Sequence, residues 1–316
     1  MREPAPSLEV PAATDRTGIL TELKAGQCRN FFVVHDGDGS VQVYEDLARH
    51  LPEDLAVIGI SPSRIANVPL AHTRIEKIAK GYVKQLLKRQ AHGPYLLGGL
   101  CAGGVIAYEM SLQLLDAGEV VETVILFDAA TPQATRISEQ RIRRLKRALA
   151  RAVSGNDSIA GRAYSVLGTL WQKLGSTLAW RLMYHSERGW ARLRFCLLHR
   201  LLAQQIPWPR HLPALSVREI YESAEAYYVP KWMDYGTSVV LVRARHRTPT
   251  LDDMPYRAIY SDKTFGWSVV AKDLKIVDAD GGHATMLREP FAGSLAAKLL
   301  THINQGLRSD LPKVLA

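Results

Sequence analysis

Short buried strands alternate with amphipathic helices along the first 130 residues, and this alternation most narrows the folds open to the chain. The apolar runs are bounded by turn residues and are typical of strands buried on both faces; they lie at 31–34, 55–60, 94–98 and 123–127. Helical patterns separate these strands at 41–51, 73–90 and 102–117, and Ser40 is the expected N-cap of the first helix. The alternation predicts an α/β fold with a mostly parallel sheet covered by helices.

The alternation stops after Asp128 and resumes about 100 residues later. Residues 131–235 carry helical patterns without a convincing buried strand, whereas strands are predicted again at 238–242 and 274–277, before a last helix at 290–305. We therefore expect a linker at 1–16, a core formed by 17–130 and 236–316, and a large helical lid inserted at 131–235.

Composition excludes several classes of protein. Hydrophobic residues make up 47% of the 316 residues, which is enough to form a core and excludes general disorder. No apolar stretch reaches the length of a membrane span, and the N-terminus lacks a signal-peptide core, so we expect a soluble, cytoplasmic protein. Three cysteines cannot form a disulfide framework.

The most informative motif is Gly99-Leu100-Cys101-Ala102-Gly103, between a predicted strand and a predicted helix. This is the G-x-C-x-G form of the nucleophile elbow, in which glycines let the backbone pass closely on both sides of a strained turn. Cys101 is thus the candidate nucleophile at a helix N-terminus. For Cys28 and Cys196 we expect buried structural thiols.

An oxyanion formed by attack of Cys101 needs N–H donors. The N–H of Ala102 is one candidate, and that of Gly37 or a neighbour, in the loop after the first predicted strand, is the second. His35 precedes this loop, and we interpret it as a scaffold residue rather than as the base.

His283 is the candidate general base, because it lies on a glycine-flanked loop directly after the last predicted strand. Two positions offer an acid to orient it. Asp128 ends the fourth predicted strand, while Asp252 and Asp253 follow a later one. We favour Asp128 because it stands at the sheet edge, and the later pair stays open as the alternative.

The chain resembles the type I thioesterase domains that end polyketide and nonribosomal peptide assembly lines. The matching segments are FFVVHDGDGS, YEDLARHL, YLLGGLCAGGVIAYEMSLQLLDAG, VETVILFDAATP and IVDADGGHATMLREP, with Trp267 ahead of the last. The resemblance covers about residues 17–130 and 236–305 and is weak over the lid. It implies an α/β-hydrolase fold, a Cys101–His283–Asp128 triad, no bound cofactor or metal, and a substrate on the phosphopantetheine arm of a carrier protein.

Cys101 departs from the resemblance, because most members of the family have Ser at this position. A natural cysteine variant, a substitution that traps an acyl-enzyme, and an altered catalyst all remain open. An acyl-Cys keeps the transfer potential of a thioester, so natural cysteine members suit cyclisation as well as hydrolysis, including strained rings and macrocycles in antibiotic biosynthesis. The alternatives are a stand-alone type II editing thioesterase and a non-catalytic carrier-binding module.

The basic residues of the lid suggest a partner. The chain holds 40 Lys and Arg against 31 Asp and Glu, a net charge of +9, and seven cations lie in 136–151. We expect an acidic acyl or peptidyl carrier protein, the preceding domain of a synthase, to dock there. No nucleic-acid motif accompanies the charge, so nucleic acid is not expected. A membrane is not expected either, although 164–200 has a basic, Trp-containing pattern; a homodimer is compatible with the sequence.

Overall fold

The computed structural model describes residues 18–65, 68–135, 190, 193–204, 206–209, 211–213, 215–233, 236–246, 253 and 262–303. The strands are β1 (Leu20–Lys24), β2 (Arg29–Val34), β3 (Leu55–Ile60), β4 (Tyr95–Leu100), β5 (Val121–Phe127), β6 (Ser238–Ala244) and β7 (Leu274–Ala279). The helices are α1 (Glu45–His50), α2 (Ile75–Arg89), α3 (Ala102–Asp116), α4 (Pro132–Thr135), α5 (193–203), α6 (Val217–Glu225) and α7 (Ala292–Ile303). No helix among these residues is both long and apolar enough to cross a membrane.

The strands form one sheet in the order β1-β3-β2-β4-β5-β6-β7. Every neighbouring pair is parallel except β1 with β3. The carboxyl ends of the parallel strands therefore lie along one edge of the sheet, where active sites of open α/β folds form. The predicted mostly parallel α/β sheet is confirmed.

Strand β1 lies in the predicted core but was not itself predicted as a strand. Its sequence, LTELK, has no apolar run, and its residues are exposed or only partly buried. The strand forms because it pairs with the edge of β3, with Leu20 opposite Ile60, and not because of a local pattern.

The two faces of the sheet bury separate apolar layers. Successive strand residues point to opposite faces, so Phe32 and Leu97 pack towards α2 and α3, whereas Phe31 and Leu96 pack towards α1 and α7. Both layers are fully covered, which explains why the strands read as continuous apolar runs.

The helix predicted at 41–51 differs from the structure in its first turn. A 3₁₀ turn, Gln42–Tyr44, precedes α1. Ser40 is not the N-cap: its hydroxyl donates to Gln42 Oε1 at 2.8 Å, and α1 begins after Tyr44 without a side-chain cap.

Only parts of the predicted lid lie among the described residues; the linker at 1–16 lies outside them. The described parts of 131–235 contain α4, α5 and α6 and no strand of the sheet. An ion pair between Arg194 and Glu219 joins α5 to α6, and a 2.6 Å hydrogen bond between Thr73 Oγ1 and His199 Nδ1 joins α5 to the segment before α2. The basic cluster at 136–151 and most of 164–200 lie outside the described residues.

Helix α3 begins unusually close to the ends of β2 and β4. A Cβ atom on Gly103 would lie 2.4 Å from the carbonyl oxygen of His35, and one on Gly99 would lie 2.1 Å from the carbonyl carbon of Gly103. Real Cβ atoms do not approach backbone this closely, so the turn requires glycine at both positions.

We predict that Gly103→Ala destabilises the protein by about 1–3 kcal/mol, because backbone must move to admit the methyl group. The matched control is Gly81→Ala inside α2, where the new Cβ would meet only the His72 side chain at 3.5 Å. That change is expected to raise stability by about 0.5–1 kcal/mol. Urea unfolding of both variants measures the difference; equal effects would contradict the close-approach argument.

Candidate active site

Cys101 occupies a strained turn between β4 and α3, where the sequence predicts a nucleophile. Its backbone has φ 53° and ψ −113°, a conformation that non-glycine residues rarely adopt and that costs about 1–3 kcal/mol. The turn is held by hydrogen bonds from the Cys101 N–H to the Phe127 carbonyl and from the Gly104 N–H to the Cys101 carbonyl. The Cys101 residue is partly exposed.

Tyr44 braces this turn from below, a contact that the sequence did not predict. Its buried hydroxyl donates to the Val34 carbonyl and accepts from the Leu100 N–H, both at 2.7 Å. Burial raises the pKa of Tyr44, so the phenol stays neutral and can donate its hydrogen bond to the Val34 carbonyl. The end of β2 is thereby tied to the residue that precedes the candidate nucleophile.

His283 and Asp128 meet at the same sheet edge. Asp128 is fully buried, and its Oδ2 accepts a 2.7 Å hydrogen bond from His283 Nδ1. Its Oδ1 accepts from the Ala244 N–H at 3.2 Å, and its own N–H donates to the Val242 carbonyl at 2.7 Å. The carboxylate is therefore fixed by β6 while it holds the imidazole.

The His283 side chain also hydrogen-bonds to Cys101, so three side chains form one continuous chain. Burial by itself lowers the pKa of His283. The hydrogen bonds to Asp128 and Cys101, together with negative charge on both partners, outweigh burial and raise this pKa to about 10. The favoured state of His283 at neutral pH is therefore the imidazolium.

Asp253 fixes the loop that carries His283. Its Oδ1 accepts from the N–H groups of Ala284 and Thr285, at 2.6 and 3.1 Å, and its Oδ2 accepts from Thr285 Oγ1 at 2.7 Å. The Asp253 carbonyl also accepts the His283 N–H at 3.0 Å. Asp253 therefore binds the backbone of the loop and the Thr285 hydroxyl, whereas Asp128 contacts the imidazole ring. Asp252 lies outside the described residues.

The turn from Asp36 to Ser40 contains the predicted oxyanion donor Gly37. The N–H groups of Asp36, Asp38, Gly39 and Ser40 all have acceptors within the turn. Within the described part of the chain, the Gly37 N–H has none. The Ala102 N–H lies in the first turn of α3, where amides have no intrahelical acceptor. Both remain candidate donors to an oxyanion.

His35 is built into the scaffold beneath this turn. It is fully buried; Nδ1 donates to the Asp36 carbonyl at 2.7 Å, and Nε2 accepts from the Tyr82 hydroxyl at 2.8 Å. Burial lowers its pKa to about 4, so the ring is neutral at physiological pH. These contacts suit a structural residue, in line with the interpretation from sequence.

Arg218 of α6 reaches across to the same turn, and nothing in the sequence indicated this contact. Its guanidinium forms two hydrogen bonds with the Asp38 carboxylate, at 2.9 and 2.8 Å. The pKa of Arg218 is raised chiefly by these bonds, and negative charge on Cys101 contributes as well. Helix α6, in the predicted lid, is thus joined to the turn that carries Gly37.

The other two cysteines differ from the prediction. Cys28 and Cys196, expected to be buried, are both exposed.

Residues 29–164 match the family model described as "Thioesterase domain". The predicted resemblance to thioesterase domains is confirmed. Two curated relatives are the non-reducing polyketide synthases Preu8 of Preussia isomera, 39% identical over 106 residues, and terA of Aspergillus terreus, 36% identical over 104 residues. These alignments cover 34% and 33% of this chain. The chain spans only 5% of the length of either relative.

Solved structures show the same fold. A four-domain nonribosomal peptide synthetase, holo-AB3403, aligns with 93% of this chain and 20% of its own at a TM-score of 0.55 and 22% identity. The Vlm2 thioesterase domain aligns with 90% of this chain and 98% of its own at a TM-score of 0.52 and 19% identity. With its seven-stranded, mostly parallel sheet, the chain has the α/β-hydrolase fold.

We predict that the His283 imidazole stays protonated up to a pH of about 10 in the folded protein. An unfolded His titrates near pH 6.5, so the pair with Asp128 stabilises the fold fully below about pH 6.5, and this contribution is lost as pH rises through about 10. Ring ¹⁵N chemical shifts measured from pH 5 to 11 test the value. In Asp128→Asn the pKa is expected to fall; a wild-type midpoint near 6.5 would contradict the assignment.

Proposed function

We propose that this protein releases an acyl chain from a carrier-protein phosphopantetheine thioester through an acyl-Cys101 intermediate. The observation that carries the proposal is the hydrogen-bonded chain from Cys101 through His283 to Asp128 on a strained strand-to-helix turn. A nucleophile, a base and an orienting acid in this order are the requirements for covalent acyl transfer. The match to the thioesterase family model supports the choice of a thioester substrate.

In the first step, the Cys101 thiolate attacks the carbonyl carbon of the thioester. The N–H groups of Ala102 and Gly37 stabilise the tetrahedral oxyanion. As this intermediate collapses, the bond to the pantetheine sulfur breaks, and the His283 imidazolium gives its proton to the departing thiolate. Asp128 keeps the ring in the orientation that this transfer needs.

In the second step, neutral His283 takes a proton from the attacking nucleophile. Water gives a free acid, whereas a hydroxyl or amine of the same acyl chain gives a ring. The acyl–Cys101 bond breaks, and the thiolate and imidazolium are restored. Because acyl-Cys101 is itself a thioester, little driving force is lost in the first step, and weak nucleophiles or strained ring closures remain accessible in the second.

The substrate class that we propose is a polyketide-type acyl chain. The relatives reported above carry the name of non-reducing polyketide synthases, although this chain corresponds to only a small part of their length. The protein needs no cofactor of its own in this scheme, since the phosphopantetheine arm belongs to the carrier. An editing role, which removes stalled acyl groups, uses the same chemistry on smaller substrates.

We expect Cys101→Ala to abolish acyl-enzyme formation, because the nucleophile is removed while Asp128 and His283 remain. Intact-protein mass spectrometry after mixing with a hexanoyl-pantetheine thioester gives the mass of the covalent adduct. The wild type should gain one hexanoyl group, and Cys101→Ser should gain it more slowly. Cys28→Ala and Cys196→Ala serve as thiol controls, since both side chains are exposed. An adduct that persists in Cys101→Ala would remove the basis of the proposal.

The variants Asp128→Asn and Asp253→Asn test which aspartate orients His283. Asp128→Asn places an amide against the imidazole and is expected to lower kcat by about 10³–10⁴-fold, as loss of the orienting acid does in triads of this kind. Asp253→Asn keeps an oxygen for the two loop N–H groups, so we expect less than about a tenfold loss. Steady-state hydrolysis of the same thioester provides both values. The reverse ranking would assign the acid to Asp253 and favour the editing class.

A further inference from the structure

A row of five basic side chains runs along the solvent face of α2, apart from the acyl-transfer site. Its members are Arg74, at the N-cap, and Lys77, Lys80, Lys84 and Lys88. Their spacing of three, three, four and four residues places them on one face of the helix, over about 21 Å at 1.5 Å per residue. We call this the α2 basic row.

Apart from the half-exposed carboxylate of Glu76, the helix presents mainly cations to solvent. Its apolar residues Ile75, Ile78, Tyr82 and Leu86 are buried against the sheet and α3, and Val83 and Leu87 are partly buried. Each exposed residue from 74 to 89 is Lys or Arg, the sixth being Arg89. The row is therefore a predominantly cationic surface on a helix whose opposite face is buried.

This charge is poorly balanced within the described part of the protein. Successive members lie one turn apart, where like charges repel, and Arg74 and Lys77 stand at the positive end of the helix dipole. Glu76 lies 3.9 Å from Arg74, but among the described residues the four lysines form no ion pair. Repulsion between these cations weakens the isolated helix. Binding of an anionic partner would neutralise the cations and so explain the arrangement.

The row also begins on the side of the molecule where the site lies. The Tyr82 hydroxyl contacts His35, which follows the carboxyl end of β2, whereas Gln90 Oε1 accepts from Asn30 Nδ2 near the amino end of that strand at 3.0 Å. Helix α2 thus runs from the carboxyl edge of the sheet towards its amino edge. A partner bound along the row would reach the edge that holds Cys101.

We propose that the α2 basic row docks an acidic face of the carrier protein that delivers the thioester. The inference rests on the function proposed above. A membrane-binding helix would present exposed aromatic or aliphatic side chains beside its cations, and a single-stranded nucleic-acid surface would present aromatic ones. The row has neither, which favours a protein partner that is matched by charge.

The test compares two substrates with the same acyl group. One is a hexanoyl chain on a recombinant acidic carrier domain of a polyketide synthase, and the other is hexanoyl-N-acetylcysteamine. The variant is Lys80→Glu/Lys84→Glu, in which the new carboxylates lie one turn from Lys77 and Lys88, and attraction to these lysines offsets the repulsion between the two carboxylates at i and i+4. We expect kcat/KM for the carrier substrate to fall by about tenfold or more, with no change for the free thioester.

Two controls separate the row from net charge and from folding. Lys80→Arg/Lys84→Arg keeps the cations and should behave as wild type. Lys272→Glu/Lys275→Glu makes the same charge change at the start of β7, removes the 3.7 Å ion pair of Lys275 with Asp273, and should leave the ratio of the two kcat/KM values unchanged. Added salt should weaken wild-type turnover of the carrier substrate only.

An unchanged ratio of the two kcat/KM values in the row variant would overturn the docking proposal alone. Failure of the wild type on both substrates would overturn the proposed function. Binding of RNA or phosphatidylserine vesicles that is lost in the variant, with the ratio unchanged, would replace the carrier by that partner.

Discussion

The close approach of α3 to the end of β2 is the constraint on which the rest of the site depends. Gly103 lets the first turn of the helix lie directly against the carbonyl groups of Val34 and His35. The chain must then turn sharply at Cys101, at φ 53°. Hydrogen bonds of Cys101 to Phe127 and Gly104, and of Leu100 to Tyr44, hold that turn in place. A side chain that would be strained elsewhere is kept at the edge of the sheet.

Burial of Asp128 determines the electrostatics that follow. A fully buried carboxylate is stable only when it is paired and hydrogen-bonded. Asp128 satisfies this requirement with the Ala244 N–H on one oxygen and His283 on the other. Its charge favours the protonated imidazole, and a charged Cys101 favours it further. Hydrogen bonding to this buried carboxylate thereby keeps His283 protonated, as the acid that the proposed reaction needs.

One hydrogen-bond cluster and one ion pair position two loops of the site. Asp253 holds the backbone of the His283 loop, and Arg218 holds the turn that carries Gly37. The second contact joins α6, in the predicted lid, to the candidate oxyanion donor. The position of this turn therefore depends on α6 as well as on β2.

Local patterns made most of the core predictable. The apolar runs of β2–β7, the stripe of α2 and the glycines around Cys101 each reflect sterics or burial within a few residues, and the structure follows them closely. Strand β1 was missed because its polar sequence forms a strand only by pairing at the edge of the sheet. The prediction of Ser40 as an N-cap was wrong because a 3₁₀ turn precedes α1. The contacts of Tyr44 and Arg218, and the loop contacts of Asp253, were missed because their partners lie far away in the sequence; Arg218 and Asp38 are 180 residues apart.

The sequence by itself determined the alternation of strands and helices, the strained turn at Cys101 and the candidates Asp128 and His283 at strand ends, because these features depend on nearest neighbours. Only the tertiary structure decided which carboxylate contacts the imidazole and which fixes its loop. Both aspartates follow strands in the chain, and a sequence does not record the direction in which a side chain points after the sheet has assembled. The pairing of β6 with β5 brings Ala244 to Asp128 and so aims that carboxylate at His283.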